Sequence, residues 1–262
     1  MHSELHLDFY SLPLEVPPDL QIVVVLPALN EAESIGPVVS ALLRQSAVPL
    51  SAVILVDNGS TDGTADLARS RGATVVLEAH RGYGSACYAG VLAATDADVI
   101  VLMDADAADD PDDLASILEP IVWNEADLVV GSRVLGSTES GALTSQQRAG
   151  NRLTCALIER IYHRKVTDLG PFRAIRRRDL LRLEMREMTY GWSTEMVVKA
   201  ARAGYRYREV PVRYRRRVGR SKVGGTFWGS LRAGRSMLLT TVKYARWSPN
   251  AANADTRMEV SG

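Results

Sequence analysis

Five apolar runs of strand length alternate along this chain with stretches of helical spacing, and that alternation limits the fold more than any other feature. The runs are "QIVVVLPALN", "AVILVD", "ATVVLE", "DVIVLMD" and "ADLVVGSR". Near-continuous Val, Ile and Leu in so short a span marks a strand covered on both faces, which is the situation in a parallel sheet. Between the first two runs, Ile35, Val38, Val39, Leu42 and Leu43 repeat at helical spacing. "TADLARSRG" reads as a helix closed by Gly72, and "GYGSACYAGVLAAT" as a helix after a glycine-rich entry. Strand and helix in alternation imply βαβ units. The expected fold class is therefore α/β, a Rossmann-like, mostly parallel sheet flanked by helices.

The ends of the chain read differently. Residues 1–20 form an N-terminal extension, Pro-rich at its end and weakly patterned. Residues 21–224 are taken as one domain. Its later part holds two helical stretches, "NRLTCALIERIYHR" and "STEMVVKAARAG", and a late strand, "REVPVRYRRR". Residues 225–262 are a C-terminal amphipathic helix and tail; "TFWGSLRAGRSMLLTTVKYARW" mixes bulky apolar and basic residues. In that segment Phe227, Trp228, Leu231, Leu238, Leu239, Val242 and Trp247 offer apolar area. Arg232, Arg235, Lys243 and Arg246 can reach anionic headgroups, the pattern of a helix lying on a membrane. The same residues would equally serve packing against the core or against a second subunit, which leaves a homo-oligomer open.

Charge is balanced overall, with 31 basic and 31 acidic residues, so composition argues for no nucleic-acid partner. Its distribution is uneven. Between Arg213 and Arg246 the chain is basic without a single acid, whereas acids crowd into residues 96–127. An anionic partner for the C-terminal part follows from that asymmetry. Two scattered cysteines make neither a disulfide framework nor a zinc site. With no signal-peptide pattern at the start and no membrane-spanning run, the expected location is cytoplasmic, peripheral on the inner face of the membrane if the C-terminal helix binds there.

Ligands of open parallel sheets bind outside the carboxyl ends of the strands. Glu31, Asp57, Asp104 and Arg133 each follow a predicted strand. Asn30 is placed to cap the next helix, with Glu33 in the capping-box position. Six aspartates occupy residues 104–113 and need sorting. Asp104 and Asp106 form a D-x-D pair at a strand terminus, where two carboxylates can share a Mg²⁺ or Mn²⁺ ion that bridges to substrate phosphates. Asp109 or Asp110 precedes Pro111, the residue favoured at a first helical position, and Asp112 and Asp113 suit the first turn. Those four are expected to start a helix. A lone D-x-D is also compatible with a plain solvated turn.

"VVVLPALNE", "VDNGSTDGT", "GYGSACYAG", "MDADA" and "VGSR" occur in this order. Together they resemble the nucleotide-sugar glycosyltransferases of the A-type fold, family 2, and within them the dolichyl-phosphate mannose and polyprenyl-phosphate sugar synthases. The resemblance spans roughly residues 22–224 and implies an inverting transfer from a nucleoside diphosphate sugar. By position it implies that Pro27, Ala28, Asn30 and Glu31 line the nucleotide pocket, that Asp57 contacts the base, and that Gly59 gives the backbone room. Gly82 and Gly84 would lie near the ribose and diphosphate, or simply open a helix. Asp104 and Asp106 would hold the metal on the diphosphate. Arg133 and Arg148 stand where relatives bind the acceptor phosphate, and "RRRVGRSKVGG" resembles the family's R-x-x-G-x-S-K stretch, with Arg216, Ser221 and Lys222 at the diphosphate.

Two departures bear on the acceptor. Ala107 and Ala108 replace the polar residue usual after the second metal aspartate, so a third ligand must come from elsewhere or from water. "TDLGPFRAIRR" keeps Asp168, Phe172 and Arg173 of the family's acceptor-side stretch but has Gly170 and Pro171 in place of its small polar residue and glycine. A hydroxyl acceptor needs a carboxylate base, and Glu195 in "GWSTEMVVKA" is the candidate; pairing with a nearby arginine is its structural alternative. A phosphate acceptor is already ionised and needs positioning instead. The expected function is a metal-dependent glycosyltransferase acting on a polyprenyl phosphate. The alternatives are the same donor chemistry on a soluble or hydroxyl-bearing acceptor, or a non-catalytic nucleotide-binding module on a membrane surface.

Overall fold

A computed structural model describes residues 14–219 and 227–249. Strands β1 (Ile22–Ala28), β2 (Ala52–Asp57), β3 (Thr74–Leu77), β4 (Val99–Leu102), β5 (Leu128–Thr138), β6 (Arg173–Arg176) and β7 (Tyr207–Tyr214) form one sheet in the order β3-β2-β1-β4-β6-β5-β7. The first four strands pair in parallel, as the buried apolar runs require. Helices α1 (Ala32–Arg44), α2 (Thr64–Ser70) and α3 (Tyr83–Ala93) are the crossovers between them; α4 (Leu114–Val122) and α5 (Ser145–Tyr162) flank β5, and α6 (Arg177–Arg182) follows β6.

Alternation along the strands divides the core in two. Val23, Val25, Ile100 and Leu102 face one side with Cys87 and Ile158, together with Trp192 and Met196 of α7 (Trp192–Arg202). Ile22, Val24, Leu26, Val99 and Val101 face the other with Ile35, Val39, Ala68 and Leu118. Both faces of β1 and β4 are thus sealed, which leaves the strand ends as the place for polar chemistry.

Two elements escape the sequence pattern. β6 is inserted between β4 and β5, antiparallel to both, and α6 follows it directly. The strand reads "RAIR", and the side chain of its first residue, Arg173, is completely buried. The guanidinium donates to the carbonyls of Leu169, Gly170, Pro171 and Ser193, so a charged residue occupies a core position by satisfying backbone acceptors.

The C-terminal helix α8 (Phe227–Lys243) packs on the body of the protein through one face. Thr240, Thr241 and Tyr244 are buried there, and the Tyr162 hydroxyl donates to the Thr241 carbonyl at 2.6 Å. Trp247, open by sequence to either membrane contact or core packing, has its ring centre 5.1 Å from the buried Lys199 ammonium. The outward face carries Leu231, Leu239 and Val242, each more than half exposed, beside exposed Arg232, Arg235 and Arg246. Core packing and an apolar–basic outer face therefore coexist on one helix.

Below α8 sits a fully buried ion pair within α7, Glu195 to Lys199 at 2.7 Å. Lys199 also donates to the carbonyls of Leu183 and Glu184, and its ammonium lies 4.6 Å from the Tyr244 ring centre. Glu195 accepts the backbone N–H groups of Arg186 and Glu187. Removing one partner of such a pair strands the other charge in the interior. Lys199→Met is expected to lower unfolding stability by about 3–5 kcal/mol, read from the midpoint of urea denaturation.

Candidate active site

Parallel register brings β2, β1 and β4 to an end side by side, with Ala28 opposite Asp57 and Val25 opposite Leu102. Three loops leave that edge. In the first, Pro27 and Ala28 close β1, and Asn30 takes a left-handed conformation at φ 52°. Asn30 does not cap α1: its side chain accepts from Thr61 N at 2.8 Å and its own N–H donates to Ser60 Oγ at 2.8 Å. Glu31 is the residue at the helix start, with no side-chain cap, and no capping box to Glu33 forms. Glu31 N donates to Thr64 Oγ1 at 2.8 Å instead. The first loop is thus tied to the second as well as to its own helix, whose Ser34 and Ile35 N–H groups donate to the Glu31 carbonyl.

In the second loop Asp57 is buried and accepts from Ser60 N at 2.9 Å. Gly59 follows at φ 87°, a conformation that suits glycine, beneath the Arg81 guanidinium. Asn58 joins the second loop to the third: its amide donates to the Glu78 and His80 carbonyls, and its oxygen accepts from Gly82 N at 2.7 Å. Gly82 and Gly84 have a packing role. A Cβ on either would collide with the backbone carbonyls of Met188 or Glu187, and Ser85 N donates to Met188 O at 3.0 Å. The glycines let the 187–188 segment close directly over the start of α3.

The acidic turn after β4 is held from both sides. Ser34 Oγ donates to the Ala105 carbonyl at 2.8 Å, Val218 N to the Asp106 carbonyl at 2.9 Å, and Arg215 N to the Ala108 carbonyl at 2.8 Å. Asp106 accepts from Ala108 N, and Ala107 sits at φ 63°. Asp104 is pushed up to about 7, first by burial and then by the Asp106 charge, against a hydrogen bond from Tyr83 and the charges of Arg217 and Arg133. Like charges brought together in this way favour a bound cation.

One of the four aspartates expected to start a helix, Asp109, does not. Asp110 accepts from Asp112 N at the start of the short 3₁₀ turn Pro111–Asp113, and Asp112 is exposed, as a helix start requires. Asp113 receives the Arg213 backbone and side chain. Asp109 starts nothing. It is buried beside the metal candidates, with one oxygen accepting from Asp104 N at 3.3 Å and the other, Oδ1, lacking a hydrogen-bond partner among the described residues. Burial and the charges of Asp104 and Asp106 push its carboxyl well above the usual range. Neither Tyr83, which meets Asp104, nor Asp109 carried a signal in the sequence, because a tyrosine in a helix and an aspartate before a helix are ordinary.

The basic residues are also redistributed. Arg216 points away from the acidic turn, donating to the Ser140 carbonyl and pairing with Glu139. Its neighbour Arg217 is the one that reaches the site, 2.7 Å from Glu31 and 3.4 Å from Asp106. Strand alternation has already ended at Tyr214, so sequence spacing could not choose between them. Ser221 and Lys222 lie outside the described residues.

Arg133 does not follow a strand end. It sits inside β5, where pairing with β7 slips between Ser132 and Ser137. Its guanidinium fork is already engaged by Asp168, through Nε and a second nitrogen at 2.7 Å each, and lies 5.0 Å from the Tyr214 ring centre. Burial opposes its charge, but Asp168 more than compensates and raises its pKa. Asp168 in turn is set by Glu209, which accepts the Thr167 and Asp168 N–H groups. Arg148 is exposed on the first turn of α5. One turn on, Asn151 accepts from Leu169 N, tying this end of α5 to the Asp168 loop. Glu195 lies furthest from the role of a base. It is completely buried, paired with Lys199 rather than an arginine, and unable to meet a substrate hydroxyl in this arrangement.

Among the described residues no three His, Cys, Asp or Glu side chains form a ready metal-binding group. Asp104 and Asp106 offer a two-carboxylate, all-oxygen donor set, which suits Mg²⁺ or Mn²⁺ sharing its remaining positions with phosphate and water.

A doubly flanked sheet whose carboxyl edge carries these loops defines a class, and residues 23–183 match the Glycosyl transferase family 2 pattern; the chain belongs to that family. It is 38% identical over 214 residues to an uncharacterized glycosyltransferase of Mycobacterium tuberculosis, covering 80% of this chain and 93% of that protein. It is 34% identical to a dolichyl-phosphate hexose transferase of Haloferax volcanii, covering 83% and 92%. The undecaprenyl-phosphate mannosyltransferase of Micrococcus luteus is also 34% identical, covering 80% and 90%. Among solved structures, glucosyl-3-phosphoglycerate synthase from M. tuberculosis, in complex with Mn²⁺, UDP-glucose and phosphoglyceric acid, superposes with a TM-score of 0.70 at 22% identity, covering 88% of this chain and 82% of that one. The A-type fold is therefore shared, and the protein is a glycosyltransferase.

The geometry separates the aspartates experimentally. Asp104→Asn and Asp106→Asn are each expected to reduce sugar transfer by orders of magnitude with the thermal melt preserved. Asp112→Asn is expected to leave turnover nearly unchanged, at a helix-start cost of about 0.3–1 kcal/mol. Parallel transfer assays and melts on the three variants check this.

Proposed function

We propose that the protein is a metal-dependent inverting glycosyltransferase that moves a sugar from a nucleoside diphosphate sugar to a polyprenyl phosphate. The observation that carries this reading is the locked state of Glu195: the carboxylate best suited by sequence to activate a hydroxyl is spent on Lys199 and on the backbone of residues 186 and 187. A phosphate monoester carries its own negative charge near neutral pH and needs no base. The names of the Haloferax and Micrococcus relatives favour the same acceptor class. A soluble acceptor is the second reading, favoured by the phosphoglyceric acid bound in the structural neighbour.

In this reading Asp57 and the loop of Asn30 and Glu31 receive the nucleotide, at the carboxyl ends of β1 and β2. Asp104 and Asp106 would hold Mg²⁺ or Mn²⁺, which offsets charge developing on the departing nucleoside diphosphate. Arg148, exposed and without a carboxylate partner among the described residues, is the cation assigned to an incoming phosphate. Arg133 acts differently from the expectation: it shapes the acceptor side through Asp168 and leaves at most part of its guanidinium for a ligand.

No described helix is long and apolar enough to cross a membrane. We propose that contact with lipid falls to the outer face of α8, whose Leu231, Leu239 and Val242 stand among arginines, with exposed Leu153 of α5 adding apolar area. Burial of such side chains at a membrane contributes about 25 cal/mol per Å² of apolar area, and anionic headgroups add to it. A double variant, Leu239→Glu with Val242→Glu, is expected to abolish co-sedimentation with vesicles rich in anionic lipid while leaving the melt unchanged.

The acceptor itself is tested by incubating the enzyme with Mn²⁺, a labelled sugar nucleotide and a short polyprenyl phosphate, then extracting into organic solvent. Label is expected in the organic phase, and Arg148→Ala is expected to raise the KM for the lipid phosphate at least about tenfold with nucleotide binding intact. Label confined to a water-soluble product across the common sugar nucleotides would award the case to the soluble acceptor.

A further inference from the structure

The place of Arg217 is not explained by donor or acceptor binding alone. Its guanidinium lies between two acids from different loops, Glu31 after β1 and Asp106 after β4, at 2.7 and 3.4 Å. The side chains of both acids are almost fully buried, 10% and 8% exposed, whereas that of Arg217 is 28% exposed. Nearly buried carboxylates need a counter-charge, and here the chain supplies its own. The hold is incomplete. The contact to Asp106 is at the outer limit of a hydrogen bond, and the Nε of Arg217 is buried with no partner among the described residues.

We propose that Arg217 is a built-in counter-ion of the metal site, occupying Asp106 while the donor is absent and yielding that carboxylate to the divalent ion. The inference rests on the metal reading of Asp104 and Asp106. A divalent ion bound to Asp106 and a guanidinium on the same carboxylate repel one another, so each weakens the other's hold. The backbone beside Arg217 stays in place during the exchange, because Val218 N is bonded to the Asp106 carbonyl and Arg215 N to the Ala108 carbonyl. The side chain alone needs to move. A diphosphate arriving with the metal supplies the anionic oxygens that the released fork, including the Nε that has no partner among the described residues, is suited to meet. Metal alone therefore binds against competition, and metal with diphosphate binds without it. Arg217 is in this sense a positioning residue that makes occupancy by metal depend on the anion that accompanies it.

The test is direct titration of Mn²⁺ into the full chain, followed by the electron paramagnetic resonance signal of free Mn²⁺, with and without inorganic pyrophosphate. Arg217→Gln is expected to bind Mn²⁺ alone at least about fivefold more tightly than wild type, the lower end of ordinary coupling between sites. Pyrophosphate is expected to tighten Mn²⁺ binding more in wild type than in the Gln variant. Arg217→Lys, which keeps the charge, is expected to stay closer to wild type than to Gln. Equal or weaker binding of Mn²⁺ alone by Arg217→Gln would overturn the proposal, as would a Lys variant that behaves like Gln. If neither wild type nor variant binds Mn²⁺, the metal reading itself falls and this inference with it. If both bind equally, the metal reading stands and only the counter-ion role is lost.

Discussion

Parallel pairing of β1 between β2 and β4 is the constraint on which the rest of the site depends. Because Ala28 lies opposite Asp57 and Val25 opposite Leu102, the three strands release their chains at one edge, and Glu31, Asp57 and Asp104 collect there without any contact having been designed between them in sequence. Backbone hydrogen bonds of the ladder and close packing of the side chains on both buried faces hold that register. Asn58 and Asn30 then lace the loops to one another, so the edge is preorganised before any ligand arrives.

The second half of the sheet is built on different physics. β6 enters antiparallel between β4 and β5, and its buried Arg173 is satisfied by backbone carbonyls instead of by an acid. Around it the Arg133–Asp168–Glu209 chain of contacts converts three charged residues into a frame for the loop 167–173. Charges that look available for substrate in a linear reading are here consumed by structure. A fork bound twice by one carboxylate has little left to offer a second anion.

A line of contacts also links α8 to the loop before α3. Lys243 and Tyr244 near the end of α8 meet Glu187; the backbone of Arg186 and Glu187 is held by Glu195; and the 187–188 carbonyls press on Gly82 and Gly84, where Asn58 also binds. The ion pair of Glu195 and Lys199 is the fixed point of that line, and its burial under Tyr244 explains why a helix with an apolar–basic outer face is nonetheless anchored to the core.

The sequence alone determined the α/β class, the positions of β1 to β4, the placement of Glu31, Asp57 and Asp104 past strand ends, and the family resemblance. Each of these rests on local periodicity or on short motifs, which act within a few residues. Asp110 and Pro111 at a helix start were legible for the same reason. What only the tertiary structure decided is which of several similar charges meets which partner. Arg217 rather than Arg216 reaches the acidic turn, Asp109 joins Asp104 rather than capping a helix, and Glu195 is taken by Lys199. Asn30 braces a neighbouring loop instead of its own helix. The physical reason is common to all four. A charged or polar side chain contributes through whatever lies within about 3 Å of it, and that neighbour comes from a distant part of the chain or from a rotation that sequence spacing does not encode.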